Sequence, residues 1–418
     1  MTTTSSSNGA EKPSWSTLQD RLRLSVVSIT SSHSLSFDME PQGVGYATGF
    51  IVDAEQGLIL SNRHVVGTGP SFHKATFFDN REVHLQPAYY DPEHDFGFFR
   101  YDPAELAGEK PYPIRLVPDK ARSGLEIRII GNSSNEKLSV HQGELSQLDR
   151  NPPMYRRPGK DAYNDLNTFY YQASTSSKGG SSGSPVVDIA GDAVAINAGG
   201  GTNTTSSFFL PLQRVVYAFE YVQRGEVPPR GTMQAEFQHI THVQARRLGL
   251  DPDLAVKEGV LVKGTTGVLA VRKVLPDGPA DGQLVVGDIV VSVGGRAVPG
   301  FPELAEIVDA AVGGSVDVRV FRSKQFVMVS VAVQDLYQIM PAEMLCLGGT
   351  YLHSQSYQLA LGSSAPVTGV KVMPSLSGFL PQNGLSKCTT IHSINNQPTP
   401  DLAAVKRIMA AARHDDPV

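Results

Sequence analysis

The most restrictive feature of this 418-residue chain is a stretch from Leu24 to about Leu212 written almost entirely as short β-type runs. Segments such as SVVSIT, TGFIVD, GLILSN, FGFFRY, IRIIG, SPVVDIAG and DAVAINAGG are separated by Gly, Pro, Asn and Asp. β-Branched and aromatic residues suit a pleated, half-buried surface, and the intervening residues suit turns. Long helical periodicity is missing over the same stretch. Its apolar side chains must therefore be buried by sheets, and the spacing of the runs predicts a sandwich or a pair of barrels.

Further along, the pattern changes. RVVYAFEYVQR (Arg214–Arg224) predicts a helix, and GEVPPRG (Gly225–Gly231) punctuates the chain with proline and glycine. From about Gly231 the text becomes α+β: a helix-like QARRLGL, strands VLAVRKV, DIVVSV, VDVRVF and FVMVSVAV, and a helix from Pro302 to Val312, ending near Gln334. A fainter echo follows about 101 residues later, where GVKVM parallels VLAVRKV and IHSINNQPTPDL parallels VVSVGGRAVPGF. Repetition at a fixed spacing predicts a second copy of the module. That copy stops at HDDPV without the closing strands of the first, so it is expected to be incomplete. The expected division is a disordered tail (1–14), a β-rich domain (15–225), one α+β module (231–335) and a partial second (336–418).

Composition narrows the possible roles. With 40% hydrophobic residues the chain has apolar material for two to four cores. Lys plus Arg total 36 against 41 Asp plus Glu, with no long like-charge block. That balance gives no electrostatic footprint for nucleic acid or an anionic membrane and points to protein partners. No run of about 18 apolar residues occurs, as a membrane span would need. Cys346 and Cys388 are far apart and lack a nearby His cluster, which argues against a disulfide framework and against a metal site and fits a reducing compartment. The opening MTTTSSSNGAEKPS lacks the apolar core of a secretory signal, so an intracellular, soluble protein is expected.

Peptide-bond hydrolysis by a serine enzyme needs a nucleophile, a base, an acid to orient the base, and donors for the developing oxyanion. Ser182 lies in SKGGSSGSPVVD, where glycines let the backbone approach a carbonyl and aim amides at one point. The amides of Gly180 and Ser182, with Ser181 as a third candidate, are the expected oxyanion donors. His64, in GLILSNRHVVG, ends a strand before a turn, where an imidazole can face a cleft. Asp95, in DPEHDFGFFRY, starts an apolar strand, and a carboxylate buried there needs a donor such as an imidazole N–H. Each alone is as well explained by a Gly/Ser-rich loop, a packed histidine or a strand-capping aspartate. Together they fall in the chain order His, Asp, Ser, which is the order of chymotrypsin and differs from that of subtilisin and the α/β-hydrolases.

The strings ATGFIVDAEQGLILSNRHVVG, DPEHDFGFFRY and GGSSGSPVVD resemble the HtrA (DegP) serine proteases. IIGNSSNEKLSVHQGELSQLDRNPP and YNDLNTFYYQAS resemble more narrowly the large fungal and plant members, including the fungal nuclear pro-apoptotic type, of which this chain would be about the N-terminal half. The resemblance implies a chymotrypsin-like double β-barrel followed by α+β PDZ-type domains, a mainly β fold overall. It implies His64, Asp95 and Ser182 as triad, no cofactor, an ATP-independent endopeptidase acting on unfolded or specific protein substrates in protein quality control, a trimer-based homo-oligomer, and a place in nucleus or cytoplasm. The usual Gly-Asn-Ser-Gly-Gly-Pro becomes Gly180-Ser181-Ser182-Gly183-Ser184-Pro185, and Ser184 is expected to shift the turn.

GVLAVRKVLPDGPADGQLVVGDIVVSVGGRAV is similar to a PDZ core, with a Gly-Pro-Ala helix start at Gly278, Pro279 and Ala280 and a Gly294-Gly295 turn. PDZ modules bind an extended peptide as an added strand. The carboxylate loop would fall at Arg230–Phe237, RGTMQAEF, which departs from the usual Gly-Leu-Gly-Phe-like pattern; a purely structural spacer is the alternative. The primary substrate pocket is expected from Asp192–Gly201 and Ser206–Leu212, with Asn197, Ala198, Gly199, Phe208, Phe209 and Leu210 as lining. No acidic residue occurs in Ala193–Leu212, and Ser176 stands six before the nucleophile, so aliphatic side chains are favoured over Lys and Arg. The basic, proline-rich Pro152–Lys160 reads as surface and Cys388 as a packed small residue. A different class of function, a catalytically idle scaffold or chaperone that binds unfolded chains through the same cleft and grooves, fits the same modules.

Overall fold

The computed structural model describes residues 14–106, 111–132, 138–153, 163–175, 179–200, 206–260, 262, 264–373 and 389–411. The polar opening before Ser14, most of the basic loop (154–160), Ser176 and Cys388 lie outside the described residues.

Ser14 starts the helix α1 (Trp15–Leu22) by accepting from the Thr17 amide. Six strands follow: β1 (Val26–His33), β2 (Gly43–Asp53), β3 (Leu58–Ser61), and, after the short helix α2 (Arg63–Val66), β4 (Ser71–Thr76), β5 (Glu82–Tyr90) and β6 (Gly97–Arg100). They close into a barrel in the order β1-β2-β3-β6-β5-β4. A second closed barrel, β10-β11-β12-β9-β8-β7, is formed by β7 (Glu126–Gly131), β8 (Ser139–Arg150), β9 (Tyr170–Ala173), β10 (Pro185–Val187), β11 (Ala193–Gly200) and β12 (Ser207–Pro211). The two-residue period of a strand explains why these runs read as nearly continuous apolar text. On β2, Ile51 turns into the first barrel, while Phe50 and Val52 join Ile196, Phe208 and Leu210 in a cluster between the barrels. The helix α3 (Gln213–Gln223) seals that cluster with Val215, Ala218 and Val222, and Phe219 stacks on Phe98 at 5.6 Å.

The first α+β module opens with β13 (Gly231–Thr232) and β14 (Ala235–Thr241), then α4 (His242–Arg247), α5 (Pro252–Lys257), β15 (Gly267–Val274), β16 (Ile289–Val293), β17 (Arg296–Ala297), α6 (Phe301–Ala310), β18 (Ser315–Arg322), β19 (Gln325–Ala332) and β20 (Gln334–Asp335). Its main sheet runs β14-β15-β16-β18-β19, which leaves β14 on an edge. The helix α6 lies over the sheet through Phe301, Leu304, Ile307 and Val308. One expectation needs correction: the segment after Gly278 makes a single turn, with Leu284 N bonded to Ala280 O, and no helix follows. Gly282, at φ 70°, takes the chain out of the helical region there.

The second module contains β21 (Leu345–Leu347), β22 (Thr350–Ser354), α7 (Tyr357–Ser363), β23 (Val370–Val372), β24 (Thr390–Ile391), the hairpin β25 (Ser393–Ile394) and β26 (Gln397–Pro398), and α8 (Leu402–Ala411). The sequence echo has a physical basis. Gly294-Gly295 and Asn395-Asn396 are both left-handed pairs at the tip of a two-residue hairpin, with φ of 55° and 75° in the first and 50° and 59° in the second. The helices α6 and α8 then begin at the same interval after their hairpins.

Both modules are fastened to the barrels by buried polar contacts. Arg230 binds Asp91 of the first barrel through Nε at 2.9 Å and reaches Asp309 on α6 at 3.4 Å, and Arg214 of α3 pairs with the same Asp309. From the second module, His353 Nε2 accepts the Asp38 amide at 3.1 Å and the Ser356 hydroxyl donates to Asp38 at 2.6 Å.

Candidate active site

His64 is the second residue of α2, a single turn that begins where β3 leaves the barrel. Asn62 donates its side-chain amide to the Asp95 carbonyl at 2.8 Å, which ties the start of α2 to the loop before β6. The Asp95 carboxylate then receives the His64 backbone N–H at 3.1 Å and lies 2.9 and 3.0 Å from the ring Nδ1. The His64 side chain is 42% exposed and that of Asp95 only 6%. Burial alone would lower the imidazole pKa, but the charge and hydrogen bond of Asp95 outweigh it and hold the pKa above 6.5.

The residue before the histidine supports this turn from within. Arg63 is almost wholly buried, pairs with Asp38 at 3.4 Å and Glu40 at 3.5 Å, and lies 4.3 Å from the centre of the Tyr163 ring. Glu40 also accepts the Thr68 amide at 2.8 Å beyond the far end of α2. Burial raises the Glu40 carboxyl to about 7 although Arg63 opposes the shift. A second carboxyl, Asp165, accepts the Tyr170 hydroxyl, and burial together with the Asp95 charge pushes it well above the usual range.

Ser182 stands on the loop before β10, partly accessible, between Gly180 (φ 92°) and Gly183 (φ 82°). The first barrel clamps this loop. Thr48 of β2 donates its amide to the Ser182 carbonyl at 2.8 Å and its hydroxyl to the Gly180 carbonyl at 2.9 Å, while its own carbonyl accepts Ser61 Oγ at 2.8 Å. Gly183 is obligatory here, because a Cβ would sit 2.1 Å from the Thr48 carbonyl oxygen. Ser184 fits without opening the turn: its amide and hydroxyl both donate to the Ser181 carbonyl, at 3.1 and 2.6 Å. Room for that hydroxyl comes from Gly131, whose added Cβ would lie 1.8 Å from it.

The structure thus brings His64 and Asp95 into direct contact and sets Ser182 on the facing barrel, linked to the histidine turn through Thr48 and Ser61. Among the described residues no hydrogen bond joins the Ser182 hydroxyl to His64, and neither the Gly180 nor the Ser182 amide is spent on a protein acceptor. Serine–histidine bonds of this kind commonly tighten only with substrate in place. Ser181 is buried, and Asn197 donates its side-chain amide to the Ser181 carbonyl and hydroxyl at 2.7 and 3.1 Å. Asn197 is therefore a strut beneath the loop. The other expected pocket residues divide by strand parity: Phe209 points into the second barrel with Ile127 and Leu145, whereas Ala198, Phe208 and Leu210 face the inter-barrel side. The Arg150 guanidinium covers Phe208 at 4.1 Å, and Gly199 continues the backbone beside Ala198 at a β-bulge. Thr48, Arg63, Glu40 and Asp165 escaped the sequence reading; only the Arg immediately before His64 carried a local signal.

A trypsin-like peptidase domain family matches residues 47–196, a span that contains His64, Asp95 and Ser182. Over 410 residues the chain is 42% identical to the pro-apoptotic serine protease NMA111 of Yarrowia lipolytica, covering 98% of this chain and 41% of that protein. It is 41% identical over 396 residues to Protease Do-like 7 of Arabidopsis thaliana, 92% of this chain and 36% of that one. The chain belongs to the HtrA-like serine proteases. It spans about two-fifths of the length of these HtrA-like relatives. A PDZ-like domain family matches residues 338–415, which is the second module, the one expected to be incomplete. Two structures of the HtrA-type protease AlgW, with a tripeptide and with a decapeptide, share the fold at 22% identity with TM-scores of 0.56 and 0.52, over 77% of this chain and 97% and 98% of theirs. Among the described residues of this HtrA-like chain, no helix is long and apolar enough to cross a membrane.

Proposed function

We propose that the chain is an ATP-independent serine endopeptidase of unfolded or regulatory proteins, with Ser182 as nucleophile, His64 as base and Asp95 as its orienting acid. The observation that carries this reading is the two-point hold of Asp95 on His64, at the backbone N–H and at Nδ1, which fixes the ring and leaves Nε2 for the serine proton. In the reaction, Ser182 Oγ attacks the scissile carbonyl as its proton passes to Nε2. The amides of Gly180 and Ser182 stabilise the oxyanion, and the leaving amine departs with the proton held by His64. Water then repeats the sequence on the acyl-enzyme. Ala198, Gly199 and Phe208 contribute to a primary pocket with no carboxylate of its own, and the assembly is a trimer-based homo-oligomer, which sedimentation of the intact protein tests.

A fluorophosphonate probe decides between this reading and an idle scaffold. Labelling of the wild type and its loss in Ser182→Ala is the expected result; an unlabelled wild type that still holds unfolded chains would make the scaffold correct.

A further inference from the structure

A peptide that adds to a PDZ module uses two features: main-chain groups on an open strand edge and a site for its terminal carboxylate. In the first module the open edge is β14, and the helix flanking it is α6. Both features are already occupied by this chain.

Asn167, on the loop before β9, inserts its side-chain amide against β14. Its oxygen accepts the Phe237 N–H at 2.8 Å and its nitrogen donates to the Ala235 carbonyl at 3.3 Å. The carbonyl of one strand residue and the N–H two residues on face the same edge, so one primary amide has taken the pair that an added strand would use. Two residues later, Phe169 lies between β14 and α6, with ring centres 5.1 Å from His239 and 4.9 Å from Phe301. That is the position of a ligand side chain. On β13, just before β14, the Gly231 amide donates to the Asp309 carboxylate at 2.9 Å, and Arg214 and Arg230 both reach the same carboxylate. A side-chain carboxylate thus stands where a peptide terminus would be received. The cleft left between β14 and α6 is about 30 Å³, room for a water or two.

We propose that the first PDZ-type module is closed by its own barrel domain: Asn167 and Phe169 fill the groove as a built-in ligand, and an extended peptide with a free carboxylate enters only by displacing them. The same Asn167 amide nitrogen donates to Glu93 at 3.0 Å, two residues from Asp95, so displacement would act directly on the loop that holds the triad carboxylate. The proposal rests on the PDZ reading of this module, and its test is read separately from catalysis.

Asn167 has φ 51°, a conformation glycine adopts freely, so Asn167→Gly removes the amide without straining the backbone. Asn167→Asp serves as the second variant, keeping the acceptor for Phe237 and losing the donor to Ala235. The probe is a fluorescein-labelled decapeptide with a free C-terminal valine, followed by anisotropy, alongside hydrogen exchange of the Phe237 amide in the full chain. Affinity at least tenfold higher in Asn167→Gly than in wild type, with Phe237 exchange at least tenfold faster and Asn167→Asp intermediate, is the expected result. Equal peptide binding in wild type and Asn167→Gly, including none in either, overturns the proposal, and so does an unchanged Phe237 rate. Fluorophosphonate labelling of the same samples reports the protease reading alone: an unlabelled wild type would sink that reading and leave the groove result standing.

Discussion

Thr48 and Ser182 belong to different barrels, yet the Thr48 amide donates to the Ser182 carbonyl at 2.8 Å while its hydroxyl holds the Gly180 carbonyl two residues earlier. Thr48 thus fixes the peptide units on either side of the Ser181–Ser182 unit, whose N–H, the Ser182 amide, is proposed to receive the oxyanion. Thr48→Val, which keeps the shape and removes the hydroxyl, is expected to lower kcat by about tenfold or more with little change in KM, because roughly 1–3 kcal/mol of positioning is lost with a buried hydrogen bond. Thr48→Ser should restore most of it. Loss confined to KM would show that the hydroxyl serves substrate binding instead.

The pH profile follows from the His64–Asp95 contact. The base acts when neutral, so the probe-labelling rate should rise with pH through a midpoint above 6.5, the direction in which Asp95 shifts the imidazole. In Asp95→Asn the midpoint should fall, since burial then loses its main opponent, and the plateau rate should drop by about 10⁴. An unmoved midpoint would mean that another group controls the limb.

Ser182 and Ser184 share the loop, and they should separate cleanly. Ser182→Ala is expected to abolish labelling with the melting temperature preserved. Ser184→Ala should keep labelling and lose about 1 kcal/mol of stability, the worth of its bond to the Ser181 carbonyl. Labelling that survives Ser182→Ala and vanishes in Ser184→Ala would reassign the nucleophile.

Asp165 and Arg63 make opposite predictions although both are buried beside the triad. Burial and the Asp95 charge push Asp165 toward its neutral form, so Asp165→Asn should leave folding and turnover close to wild type. Arg63→Met strands Asp38 and Glu40 in the interior and should cost about 3–5 kcal/mol, read in a denaturant melt. A severe Asp165→Asn phenotype would show that its charged form is required.

Cleavage of denatured casein, mapped by mass spectrometry against a Ser182→Ala blank, should fall after Val, Ala, Leu or Ile. An aliphatic side chain gains roughly 1.5–3 kcal/mol on burial, and a cation would enter without a partner. A majority of cuts after Lys or Arg would overturn the pocket assignment and leave the triad assignment in place.

What the chain reveals before folding depends on range. The barrels and the histidine, aspartate and serine segments are carried by contiguous strings, so they could be read directly. The pocket could be read only in part: adjacent residues on a strand point to opposite faces, and the Phe208-Phe209 pair had to be split accordingly. Thr48, Asn167 and Arg230 act through partners 132, 70 and 139 residues away. Nothing local distinguishes such residues from ordinary surface polars, and only folding juxtaposes them.

The Arg230 cluster bears on how this chain can be taken apart. Composition changes at Gly225–Gly231, the place where one would cut to isolate the catalytic half, but the first residue beyond that linker's prolines is the counterion of Asp91, which has no accessible surface. A truncated barrel domain would inherit an interior anion without its counterion four residues before Asp95, a burden of about 3–5 kcal/mol against the modest net stability of a domain. The linker therefore works as a rivet: the stretch that looks most dispensable on paper is the one whose removal should make the catalytic half hard to express alone.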